Sequence, residues 1–388
     1  MYVALALLLL FFNFSEDYYW SIISFFSIIT LPILCCNLFI PFKYRLQDYY
    51  QIVTQNKRHR FIALCFCALI VLCGPLDILI NGFKLLRPDT YADLHGVGRY
   101  IRHITILCWI FIPVAFVYLR SAGMKGIFIA YAILFPILII DRNRLFISCW
   151  SLLFCIMLQY SLTESARVRA RYRACLFLIV LICSFIFAAV GFFRSGSAFV
   201  VPSSGTHLIE GAFPLSDYFM ELPGFIQQIV LYITTPIFNF LTVDIQGFTN
   251  PEFLNSQLSP FSRDNYNLYP YAPIPVPRFN VGTEFYPFLL YSGLQLVALA
   301  FIGMLVSFYL AVYLFKKYPN IFTLIIFIKI SYGMLFMGFA PQFYILLNLM
   351  FFLLMLLLWG FSELCIACVN CSNNEPSFPA RKWQDINL

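Results

Sequence analysis

Long apolar runs separated by short charged linkers set the pattern of this chain. Runs long enough to enter a bilayer recur at 2–14, 18–42, 61–83, 104–119, 126–140, 144–162, 174–193, 285–315, 320–340 and 343–369. A helix needs about 20 such residues to cross a hydrocarbon core about 30 Å thick. The pattern therefore predicts an all-α polytopic membrane protein of about ten helices. Residues 1–193 are expected to hold seven of them, 194–284 a large extramembrane loop, 285–371 the last three, and 372–388 a tail. The first run, "MYVALALLLLFFNF", is short for a crossing and has the look of a signal-peptide core. It lacks basic residues before it and a small-residue cleavage site after it, so a retained helix is expected.

The long segment has its own organisation. Residues 225–243, "FIQQIVLYITTPIFNFLTV", are apolar enough to enter a membrane, but a full crossing would invert every later linker. An interfacial or re-entrant helix broken at Pro236 is the expectation. The following "SPFSRDNYNLYPYAPIPVPRFNVGT" is rich in Pro, Tyr and Asn and predicts an extended loop. Its Tyr266, Tyr269 and Tyr271 offer flat faces either to sugar rings or to lipid headgroups.

Charge assigns the sides. The linkers holding Lys43, Arg45, Lys57, Arg58 and Arg60, then Arg120 and Lys125, then "RVRARYR" at 167–173, then Lys316 and Lys317, then Arg381 and Lys382 alternate correctly and are all basic. Such linkers stay in the cytoplasm. Both termini are thus expected there, and the 194–284 loop on the outer face. Arg87, Arg99, Arg102, Arg142, Arg144, Arg194, Arg263 and Arg278 fall on that outer face with a single lysine, Lys84. The guanidinium fork suits bidentate binding of phosphate, whereas a solvated loop has no reason to avoid lysine. The bias points to an anion site; the competing reading pairs these arginines with Asp89, Asp93, Asp141 and Asp264.

Composition agrees with the pattern and narrows the chemistry. The chain is 61% hydrophobic and 11% charged, with a net charge of +7 and a mean hydropathy of +0.83, well beyond soluble domains. None of the 13 cysteines lies between Arg194 and Glu284, so most are expected to be apolar helix residues. Cys365, Cys368 and Cys371 have metal-like spacing but no nearby histidine. No phosphate-binding loop, dinucleotide fingerprint, zinc-binding histidine pair or nucleophile elbow occurs. No cofactor, metal or nucleic-acid partner is expected. Two ionisable residues fall inside apolar runs, Asp77 and Lys329. A charge at mid-bilayer costs about 2.5–3.5 kcal/mol or more, so each should face the bundle interior or a wet cavity. They could pair with each other, or Asp77 could line a cavity opening outward.

At "FFRSG" (192–196), at "RFNVGTEFYPFLLYSG" (278–293) and at the "DRNR" turn (141–144), the chain resembles the Wzy-type O-antigen polymerases of bacterial surface polysaccharide assembly. The resemblance extends over the helical plan with its one large loop. It departs at Tyr291-Ser292-Gly293, where an acidic residue before the glycine would be expected. The resemblance implies a GT-C-like fold in the bacterial inner membrane. It implies a metal-independent glycosyltransferase acting at the periplasmic face on undecaprenyl-pyrophosphate-linked oligosaccharides as donor and acceptor, with membrane lipid and a chain-length regulator as partners. Arginines at outer helix ends would stabilise the departing diphosphate. Arg142, Arg144 and Arg194 are assigned to it, with Arg278 as a fourth, and Arg99 and Arg102 as further substrate contacts. Glu284, Asp264, Asp77 and His207 compete as the base for the acceptor hydroxyl, Glu284 first because it begins a helix at the boundary. Tyr266 is a candidate sugar contact. The alternatives are an O-antigen ligase, a lipid-linked oligosaccharide flippase, a membrane acyltransferase and an unrelated transporter.

Overall fold

Each of the ten apolar runs contains a helix in the computed structural model, which describes residues 1–39, 46–55, 57–86, 96–163, 165–195, 214–260, 268, 270–275 and 281–372. In chain order these are α1 (Tyr2–Phe11), α2 (Glu16–Phe39), α3 (Leu46–Gln55), α4 (Arg60–Asn81), α5 (Val97–Thr105), α6 (Phe111–Tyr118), α7 (Ala122–Leu138), α8 (Arg142–Leu162) and α9 (Ala166–Ser195). After the loop come α10 (Asp217–Met220), α11 (Gly224–Gln246), α12 (Glu252–Leu258), α13 (Tyr286–Ser292), α14 (Leu294–Lys317), α15 (Ile321–Phe336) and α16 (Leu346–Ser372). Among the described residues seven helices are long and apolar enough to cross a membrane, and three shorter apolar ones accompany them. The protein is an all-α, multi-pass membrane protein. Leu38, Leu79 and Leu357 stand 80%, 78% and 61% exposed, the surface of a bundle bathed in lipid rather than water.

The shortness of the first run is seen in the structure, and two further details depart from the expectation. Helix α1 has 10 residues, about 15 Å at 1.5 Å per residue, half a bilayer core. The 285–315 run divides at Gly293, whose φ of 73° lies in the left-handed region that glycine tolerates. The Phe285 ring sits 5.8 Å from that of Phe301, seven residues into α14. Helix α13 therefore climbs back along the first two turns of α14, and the pair forms a re-entrant hairpin. Finally, α11 runs unbroken through Pro236. Proline removes one N–H and crowds the preceding turn. In the turn before it Thr234 Oγ1 donates to the Val230 carbonyl at 2.7 Å and Thr235 Oγ1 to the Leu231 carbonyl at 2.5 Å, and the helix continues to Gln246. Phe238, Phe240 and Leu241 bury its far side against the bundle.

The basic linkers gather at one end. Arg58 pairs with Glu363 at 3.0 Å, and His59 Nδ1 lies 2.8 Å from Ser362 Oγ. These contacts bring the start of α4 level with the last turns of α16. Tyr318 packs on Trp359 at 5.2 Å, which brings Lys316 and Lys317 to the same level. Tyr49 of α3 packs on Phe315 at 6.3 Å, and Gln159 near the end of α8 donates to Tyr50 at 3.4 Å. Asp77, Arg102 and Arg144 lie toward the opposite ends of their helices, and Glu284 lies in the turn before α13. The rule that basic linkers stay cytoplasmic predicts that a cysteine placed at Gly205 reacts with an impermeant maleimide applied from outside and that one at Ser165 does not. The reverse pattern would invert the orientation.

Candidate functional site

The end of the bundle opposite the basic linkers holds a buried ionic network. Asp77 is fully buried one turn before the end of α4. Its Oδ1 accepts Asn81 Nδ2 at 2.7 Å and Arg102 Nε at 2.8 Å, and its Oδ2 accepts the Thr105 hydroxyl at 2.6 Å. Spacing explains the convergence: Asp77 and Asn81 are four apart on α4, Arg102 and Thr105 three apart on α5, so each pair shares a helix face. The two helices approach closely at Gly98, where a side chain would overlap the Asn81 amide.

Arg144 extends the network from α8. Its Nη1 donates to Thr105 Oγ1 and its Nη2 to the Arg102 carbonyl, each at 3.2 Å. Its Nε lies 2.7 Å from Asp141 Oδ2, close enough for an ion pair though its N–H is angled away from a hydrogen bond. Asp141 caps α8, accepting the Arg144 backbone N–H at 3.2 Å. The turn feeding this cap contains Ile140 at φ 54°, a conformation that costs a β-branched residue about 1–3 kcal/mol and clusters at functional sites. Arg144 is thus tied to Asp141, one of the acids the competing reading named, and Arg102 to Asp77, which it did not name. The pairing leaves two buried guanidinium nitrogens without a hydrogen bond among the described residues, Arg102 Nη2 and Arg144 Nε.

Beside the network lies a cavity of 370 Å³. Its polar end is formed by His103, Asn143, Arg144, Gln342 and Asn348, with Lys329 and Tyr332 contributed by α15. Its remaining wall is apolar, including Phe66 and Leu69 of α4 and Met350 and Leu354 of α16. Leu69 and Met350 are themselves 46% and 51% exposed on the apolar exterior. The cavity therefore opens sideways between α4 and α16, at the surface that lipid covers. Tyr332 OH donates to the Asn143 carbonyl at 3.4 Å, which ties α15 to the start of α8 across the floor.

Glu284 stands apart from the cavity and shapes it. It is fully buried and accepts the backbone N–H groups of Gln342, of Phe343 at 2.9 Å and of Tyr344 at 2.7 Å. Tyr344 OH donates to the Ala300 carbonyl at 2.7 Å, so the 337–345 link lies about 10 Å below the first residue of α14. Non-helical backbone at such depth must find its partners within the protein, and successive N–H groups form a nest that attracts an anion. The carboxylate fills that nest. Glu284→Gln should lower the thermal stability by roughly 1–3 kcal/mol, since the amide turns a donor toward N–H groups that need an acceptor. An unchanged melting temperature in detergent would count against this bracing role.

The structure thus unites Asp77, Arg102 and Arg144, and sets Arg99 one turn before Arg102 on α5. Asp77 pairs with Arg102 and not with Lys329. Arg142 begins α8 and Arg194 lies next to the end of α9, but their side chains are outside the described set. Asp264, Tyr266, His207 and Arg278 lie outside the described residues. Thr105, Asn143, Gln342 and Asn348 were missed; only the i, i+3 spacing of Thr105 from Arg102 could have marked any of them. No family model, curated protein or solved structure matches the chain.

Proposed function

We propose that the protein is a glycosyltransferase that polymerises oligosaccharide repeat units carried on undecaprenyl pyrophosphate at the periplasmic face of the bacterial inner membrane. The observation that carries this reading is the sideways-opening cavity, apolar along its wall and cationic at its end. A lipid diphosphate has the matching form, with a hydrocarbon chain that stays in the bilayer and a charged head that needs guanidinium or ammonium partners.

In the reaction the bond between the sugar C1 and the diphosphate oxygen breaks, and its electron pair stays on the diphosphate. A hydroxyl of the acceptor repeat unit forms the new bond to C1 and releases its proton to a base. Arg144 stabilises the charge that grows on the leaving diphosphate, held in place by Asp141, Thr105 and the Arg102 carbonyl so that little reorganisation is needed. Arg142, Arg194 and Arg278 are assigned to the same anion from their sequence positions. Asp77 and Glu284 already have both oxygens occupied, so the proton goes elsewhere. Asp264 and His207 remain sequence candidates, and His103, which lines the cavity, joins them.

The reading is tested by a silver-stained lipopolysaccharide gel of a deletion strain. A core bearing a single repeat unit is the expected result. A core with no repeat would favour a ligase or a flippase, and an unchanged ladder would remove the protein from this reaction class.

A further inference from the structure

Lys329 is a buried cation that no ion pair among the described residues accounts for. It is 8% exposed on α15, and its ammonium lies over the Tyr332 ring, 5.3 Å from the centroid. No ion pair joins it to any carboxylate among the described residues: Arg102 takes Asp77 and Arg144 takes Asp141. Glu284 acts on it only at a distance, its oxygens being given to the N–H nest. A buried ammonium without a partner weakens a fold. A group kept in that state, aimed into a cavity, is best explained by an anion that arrives from outside.

The cavity says what kind of anion. Its opening is flanked by the exposed Leu69 and Met350, so a ligand reaching Lys329 passes apolar surface first. Depth orders the contacts. Helix α15 runs from the basic end upward, and Tyr332 touches the carbonyl of Asn143 beside Arg144. The Lys329 Cα, three residues earlier, is about 5 Å deeper, and its ammonium lies over the Tyr332 ring. We propose that Lys329 binds the phosphate nearest the hydrocarbon of a lipid diphosphate that enters sideways between α4 and α16, with Arg144 on the outer phosphate. The assignment of the carrier as a diphosphate rests on the function proposed above.

The test uses the purified full-length protein in detergent, with farnesyl diphosphate as the probe and farnesol and inorganic pyrophosphate as controls. Farnesyl diphosphate should raise the melting temperature of the wild type and of Lys329→Arg, and bind Lys329→Met at least 10-fold more weakly. Without ligand, Lys329→Met should melt no lower than the wild type, because relief of a buried charge without a carboxylate partner offsets the lost contact with the Tyr332 ring. Full binding by Lys329→Met would overturn the proposal, as would a ligand-free Lys329→Met or Lys329→Arg that unfolds early, since Lys329 would then be structural. Inorganic pyrophosphate binding as tightly as farnesyl diphosphate would overturn the lipid assignment. If Lys329-dependent binding holds while the deletion strain keeps its ladder, this inference stands and the polymerase reading falls.

Discussion

Replacing Arg144 with alanine is expected to cut polymer formation by about 10²–10³-fold, the loss typical of one preorganised group at a developing anion. The protein should still insert. Asp141, left without its partner, is 27% exposed at its side chain, so solvent relieves its charge, and Thr105 keeps its bond to Asp77. Arg144→Lys should recover only part of the activity, because a single ammonium cannot reach Thr105, the Arg102 carbonyl and a phosphate together. The measurement is repeat-unit polymer on a lipopolysaccharide gel, with the amount of membrane-inserted protein measured in parallel. Long chains at the normal level with Arg144→Ala would place the leaving group elsewhere.

Asp77→Ala should give the largest loss of stability, about 3–5 kcal/mol, the cost of stranding a buried charge. Arg102, 7% exposed at its side chain, would lose its counter-charge, and Asn81 and Thr105 would lose the acceptor that joins α4 to α5. Removing both charges together in Asp77→Ala/Arg102→Ala should cost less than the sum of the single changes, because neither charge is then left alone. Denaturation in detergent followed by tryptophan fluorescence reads all three proteins. Additive effects would show that the two side chains do not work as a pair.

The helices were legible because each apolar run carries its own signal of length and hydropathy, independent of its neighbours. The division at Gly293 and the continuity through Pro236 depend on contacts. Gly293 supplies the turn that lets Phe285 pack back on Phe301, and beyond Pro236 the helix buries Phe238, Phe240 and Leu241 against the bundle. Asp77 and Lys329 stood out as charges in apolar runs, which fixes their depth and not the direction they face. Direction decided their fates: Asp77 meets Arg102 across α4 and α5, while Lys329 looks into the gap beside α16. Glu284 shows the same limit. Its place at a boundary suggested a base, but its partners are N–H groups 58 to 60 residues away in the chain, which no local pattern announces.

In the proposed reaction this end of the bundle holds a lipid diphosphate while it leaves a sugar. That reaction is tested most directly by full-length protein in proteoliposomes supplied with one synthetic lipid-linked repeat unit and nothing else. The account predicts products of two or more repeats, with one polyprenyl diphosphate released for each bond formed, and their disappearance with Arg144→Ala. A repeat-unit lipid returned at its original length with no diphosphate released, even if moved across the membrane, would contradict it.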